Sequence, residues 1–187
     1  MRRILLSIFT LLFMSLTASY AIELKKPDLP VKSWVLMDYE TGAVLAEHEP
    51  NSRLEPASLT KLMTSYLIAD AIENGVLSYS DTVRISHNAY KQVGSRMFIE
   101  QNSQVSIENL LRGLIIQSGN DASVALAEHL SGSESAFVSL MNAKANELGM
   151  RNTHFQNTNG LPHPPHYRSA SHLAYLSRSL LHRFPPH

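Results

Sequence analysis

The chain of 187 residues contains no cysteine, which excludes a disulfide framework and a thiol nucleophile. It carries no excess of charge: 16 Lys and Arg balance 16 Asp and Glu. That balance gives no electrostatic case for nucleic acid or a strongly acidic partner. No internal repeat or low-complexity tract occurs, so nothing suggests a solenoid or a disordered array. Long apolar runs are also missing, apart from one at 4–16, which is short of the roughly 20 residues of a membrane span. Met1-Arg2-Arg3 precedes that run and Ser19-Tyr20-Ala21, a small-x-small site, follows it. This is the layout of a secretory signal peptide, expected over 1–21 with cleavage after Ala21, leaving 22–187 as one exported domain.

The mature chain begins with a polar stretch containing two prolines, and strands are expected at 34–37 and 43–46 around Glu40-Thr41-Gly42 as a hairpin turn. Residues 83–86 suggest a further short strand. Ser106 is a good helix N-cap with Glu108 in the first turn. Ile107, Leu110, Leu111, Leu114 and Ile115 then form one amphipathic face, and the helix ends at Gln117-Ser118-Gly119-Asn120. More helices are expected over 121–130, 134–148 and 170–181, with Gly132 and Gly149 as stops and Asn159-Gly160 as a turn. The fold class is α+β, a helical cluster preceded by a hairpin.

Chemistry concentrates in Pro56-Ala57-Ser58-Leu59-Thr60-Lys61-Leu62-Met63-Thr64, read as the start of a helix over about 58–74. Ser58 and Lys61 are three apart, hence one turn apart on one helix face. Leu59, Leu62, Met63, Tyr66, Leu67, Ala69 and Ile72 make the helix apolar over most of its circumference, so it is expected in the core. Burial lowers a lysine's pKa, and a neutral lysine can take the proton of a serine hydroxyl. The plainer alternative makes Ser58 a helix cap and Lys61 a solvated residue.

Sixty residues on, Ser118-Gly119-Asn120 places a hydroxyl and an amide on one tight turn. S-x-x-K followed by S-[DG]-N is the motif order of penicillin-binding proteins and class A β-lactamases. The flanks resemble the low-molecular-mass penicillin-binding proteins, serine D-alanyl-D-alanine carboxypeptidases of the bacterial envelope. The resemblance runs through Leu114-Ile115-Ile116-Gln117-Ser118-Gly119-Asn120-Asp121-Ala122, Glu147-Leu148-Gly149-Met150-Arg151-Asn152-Thr153-His154-Phe155 and Asn159-Gly160-Leu161-Pro162. It implies a β-lactamase/transpeptidase-like fold with Ser58 as nucleophile, Lys61 as base, Ser118 as proton relay, and Asn120 holding Lys61 and the substrate amide. The implied substrate is a peptidoglycan stem peptide ending in D-Ala-D-Ala, with β-lactams as covalent inhibitors and no cofactor, metal or nucleic acid.

Two departures stand out. The family's third motif, K-T-G, does not occur; Glu40-Thr41-Gly42 is the nearest triplet. Tyr167-Arg168-Ser169-Ala170-Ser171-His172 replaces the family's usual Tyr-Ser-Thr-Ala-x-Asp. The chain is therefore expected to be the front part of a longer enzyme, with an antiparallel sheet lacking its C-terminal strands and without the family's membrane anchor. A β-lactamase and a truncated relic that binds stem peptide weakly are the alternatives. A metal site at His163 and His166 with His154 or His172 is disfavoured by the spacing, and a solvated loop is expected there.

Overall fold

The computed structural model describes residues 26–185; the signal peptide expected over 1–21 lies outside them. Strands β1 (Trp34–Met37) and β2 (Val44–His48) form the expected antiparallel hairpin, with Trp34 opposite His48 and a bulge at Leu36/Met37. Its turn is set by Asp38, whose carboxylate accepts the Thr41 N–H, and by Gly42 at φ +75°. A second ribbon pairs β3 (Thr82–Arg84) with β4 (Gln104–Ser106). One incomplete sheet was expected; the described residues form two separate two-stranded ones. β4 is too short, at three residues, to show a period of two in the sequence.

Among the described residues five longer helices make the body: α1 (Lys61–Glu73), α3 (Ile107–Ile116), α4 (Asn120–Ser131), α5 (Glu134–Glu147) and α6 (Ala170–Arg183). A single-turn α2 (His87–Tyr90), capped by Ser86, was not foreseen. α4 lies at the centre, buried from Asn120 through Ala127, against α1, α2, α3 and α5. Its run of Ala122, Ser123, Ala125 and Ala127 lets neighbours approach closely, and Met63, Ile68, Leu110, Leu126, Phe137 and Met141 close the core around it. Burying each large side chain contributes about 1.5–3 kcal/mol.

Caps act where the sequence placed them. The Ser106 hydroxyl accepts the Asn109 N–H, and Gly132 ends α4 in the left-handed region at φ +76°. The α3 stripe is narrower than its periodicity suggested: Ile107, Leu110 and Leu114 are buried, but Ile115 is 69% exposed. α6 packs on the hairpin, where Arg178 donates to the Tyr39 and Glu40 carbonyls and His182 stacks on Tyr39. No helix among the described residues is long and apolar enough to cross a membrane.

Candidate active site

The helix expected from Ser58 begins with a 3-10 turn (Ala57–Thr60), and regular α geometry starts only at Lys61. Ala57 adopts φ +45°, uncommon for a residue with a Cβ. That strain is located one residue before the exposed Ser58, the kind of place where structures tolerate it for function. Lys61 is 5% exposed and its Nζ lies 3.5 Å from Ser58 Oγ. A shorter bond, 3.0 Å, runs from Lys61 Nζ to the Asn159 carbonyl. No carboxylate contacts the amine among the described residues, and burial alone pushes its pKa down to about 8.

The other side of the turn is gripped by one segment, 157–168. Gly160, at φ +88°, lies so close to Ala57 that a Cβ would collide with the Ala57 carbonyl. Arg168 donates from Nε (3.1 Å) and Nη2 (2.9 Å) to the Pro56 carbonyl, and His166 Nε2 shares a hydrogen bond with Thr60 Oγ1. Thus Pro56, Ala57, Thr60 and Lys61 each touch that segment. The sequence marked Asn159-Gly160 as a turn but gave no reason to bring it beneath Ser58.

Ser118 occupies the turn between α3 and α4 at φ +54°, half-buried. Asn120 makes no direct hydrogen bond to Lys61 among the described residues; its Nδ2 donates to the Val93 carbonyl at 2.6 Å. That carbonyl belongs to the loop 92–99, which is stitched to the start of α4. The Asn120 N–H goes to Ser95 O, Ser95 Oγ to Gln117 O, and the Asp121 carboxylate accepts the N–H groups of Met97, Phe98 and Ile99. Gln92 of the same loop accepts from the Asn159 side chain. The loop therefore touches both the segment that holds Lys61 and the helix that begins with Asn120.

The histidines are dispersed. His154 bonds Gln156, His166 bonds Thr60, and His172 bonds Thr153. The loop expected to be solvated is so at His163, Pro164 and Pro165, whereas His166 is 3% exposed against Phe155.

A buried lysine against a serine at the start of a helix has the two groups that acyl transfer uses, a hydroxyl and an amine that can lose its proton. Residues 21–187 match the family described as D-alanyl-D-alanine carboxypeptidase. The chain belongs to this family. It is 47% identical to the carboxypeptidase DacF of Bacillus subtilis, over 80% of this chain and 39% of that protein. It is 39% identical to DacC of Escherichia coli, over 93% of this chain and 46% of that one. Among solved structures, the carboxypeptidase DacD of Francisella tularensis matches with a TM-score of 0.85 and 44% identity, over 86% of this chain and 39% of that chain. Penicillin binding protein 5 of Haemophilus influenzae matches at 0.84 and 41%, over 87% and 48%. The fold is that of the penicillin-binding proteins, and this chain spans less than half the length of these relatives. Neither a β-lactamase nor a non-catalytic relic is favoured by these likenesses.

Proposed function

We propose that this chain carries the acylation machinery of a serine D-alanyl-D-alanine carboxypeptidase. The observation that carries the reading is Lys61, buried without a carboxylate partner between Ser58 Oγ and the Asn159 carbonyl. At pH 7 a lysine with a pKa of about 8 is neutral in about a tenth of molecules, against roughly one in three thousand at its ordinary 10.5. The neutral amine takes the Ser58 proton, and Oγ attacks the carbonyl between the two D-alanines of a stem peptide. The Ser58 N–H, at the start of a helix, faces the oxyanion. As the C–N bond breaks, Ser118 passes a proton to the leaving D-alanine nitrogen, and Asn120 holds the substrate amide. Water then cleaves the Ser58 ester and regenerates the hydroxyl. β-Lactams enter by the same attack and stay as the ester.

The sequence has no K-T-G triplet, so the reading gives this chain the nucleophile, base and proton relay, and names no residue that grips the substrate carboxylate. Export through a signal peptide at 1–21 and action on the cell wall outside the inner membrane, by residues 22–187, complete the proposal. Mass spectrometry after reaction with penicillin should place the adduct on Ser58, with none in Ser58→Ala. The acylation rate should climb with pH through about 8, the region where Lys61 loses its proton. Lys61→Arg, which cannot become neutral, should abolish it. An adduct on another residue, or acylation by Lys61→Arg within a few-fold of the parent, refutes the assignment.

A further inference from the structure

Glu134 belongs to none of the sequence motifs. It sits in the first turn of α5, a helix already capped by Ser133, whose hydroxyl accepts the Ala136 N–H. The Glu134 carboxylate turns away from its own helix: Oε1 accepts both the Thr158 N–H (3.1 Å) and the Thr158 hydroxyl (3.0 Å). Thr158 is fully buried, and its carbonyl accepts Thr64 Oγ1 (2.8 Å) from α1 and Ser123 Oγ (2.7 Å) from α4. Three helices therefore fix one residue at its nitrogen, hydroxyl and oxygen. The next carbonyl in the chain, that of Asn159, takes the Lys61 N–H.

A neutral amine has two hydrogens and one lone pair. Anchoring a hydrogen on Asn159 leaves the lone pair free to face Ser58 Oγ, which is what a base needs. We propose that Glu134 is a positioning residue for the Lys61 base, acting through the Thr158–Asn159 peptide. The proposal rests on the reading of Ser58 and Lys61 as nucleophile and base.

The test uses the full chain, with Glu134→Ala, Glu134→Gln and Thr64→Val. Acylation of Ser58 by a fluorescent penicillin is followed between pH 6 and 10, with thermal melting alongside. Glu134→Ala loosens the segment, so the maximal acylation rate should fall about tenfold or more. Water reaching Lys61 should also move the rising limb of the pH profile to the alkaline side of its parental position, because burial is what depresses that pKa. Glu134→Gln keeps an oxygen acceptor and should stay within about threefold of the parent in rate, with an unshifted limb. Thr64→Val removes one donor to Thr158 while keeping the side chain's shape, and should shift the limb in the same direction by less. A shift shared by Glu134→Ala and Thr64→Val supports the proposal. A folded Glu134→Ala with the parental profile overturns it and makes Glu134 a staple between α5 and the segment. Should Glu134→Ala fail to fold, an unshifted Thr64→Val overturns it equally. If the parent itself takes no label on Ser58, the reading beneath the proposal fails, and the proposal falls with it.

Discussion

Gly160→Ala probes the contact that most directly joins the 157–168 segment to the turn that carries Ser58. Gly160 has φ +88°, where a residue with a Cβ is disfavoured by about 1–2 kcal/mol. The new methyl would overlap the Ala57 carbonyl and come to 3.0 Å from Thr60 Oγ1. The obstacle is backbone, so no change of rotamer relieves it, and the turn must back away by roughly 1.5 Å to regain ordinary contact. Overpacking of this kind costs about 1–3 kcal/mol, so the combined loss is about 2–5 kcal/mol. In a domain of this size that lowers the melting temperature by about 5–15 °C. The same retreat draws the Asn159 carbonyl away from Lys61, 3.0 Å distant in the parent, and acylation of the folded fraction should drop about a hundredfold. Calorimetry and stopped-flow acylation by a chromogenic β-lactam measure the two effects separately. A melting temperature within about 2 °C of the parent refutes the close-contact argument. A large fall in melting temperature with parental acylation refutes the proposed link between this segment and Lys61.

Two further outcomes follow from other buried groups. Burial holds the His166 pKa down to about 4, against 6.5 unfolded, so the native state favours the neutral ring; the stability this contributes is full above pH 6.5 and lost as pH falls toward 4. Urea unfolding of parent and His166→Gln across pH 4 to 8 should show the parent losing on the order of 2 kcal/mol more over that window, and identical slopes would show that His166 does not titrate as its burial requires. Asp121→Asn leaves one carboxylate oxygen fewer for the N–H groups of Met97, Phe98, Ile99 and Ala122. It should cost about 1–3 kcal/mol in chemical denaturation; an unchanged midpoint would mean that the 92–99 loop keeps its shape without the charge.

Local signals carried much of this protein. Ser106, Gly132 and Gly149 end or begin helices because capping needs only a few neighbouring residues, and those lie in sequence order. The three-residue spacing of Ser58 and Lys61 likewise fixed their approach, since one turn of helix brings i and i+3 together in 3-10 or α geometry alike. The apolar circumference expected over 58–74 held for Met63, Tyr66, Leu67, Ile68 and Ala71, which are buried, but Leu59 lies in the leading 3-10 turn and is 48% exposed, because nothing packs over that turn's outer side.

What the tertiary structure alone decided is long-range. Lys61 meets the carbonyl of Asn159, 98 residues away, and a backbone carbonyl leaves no trace in the identity of its residue. The Asn120 Nδ2 meets the Val93 carbonyl, 27 residues away, because the 92–99 loop is tied down by Asp121 and Ser95. Periodicity placed Ile115 on the same stripe as Leu114, yet a stripe is buried only where a neighbour covers it, and Ile115 stands exposed. Glu134 reads as an ordinary first-turn acid until the fold brings Thr158 to it. A sequence records which groups can pair over a turn or two of chain; which distant groups do pair depends on how the helices stack, and here that stacking sets the surroundings of Lys61.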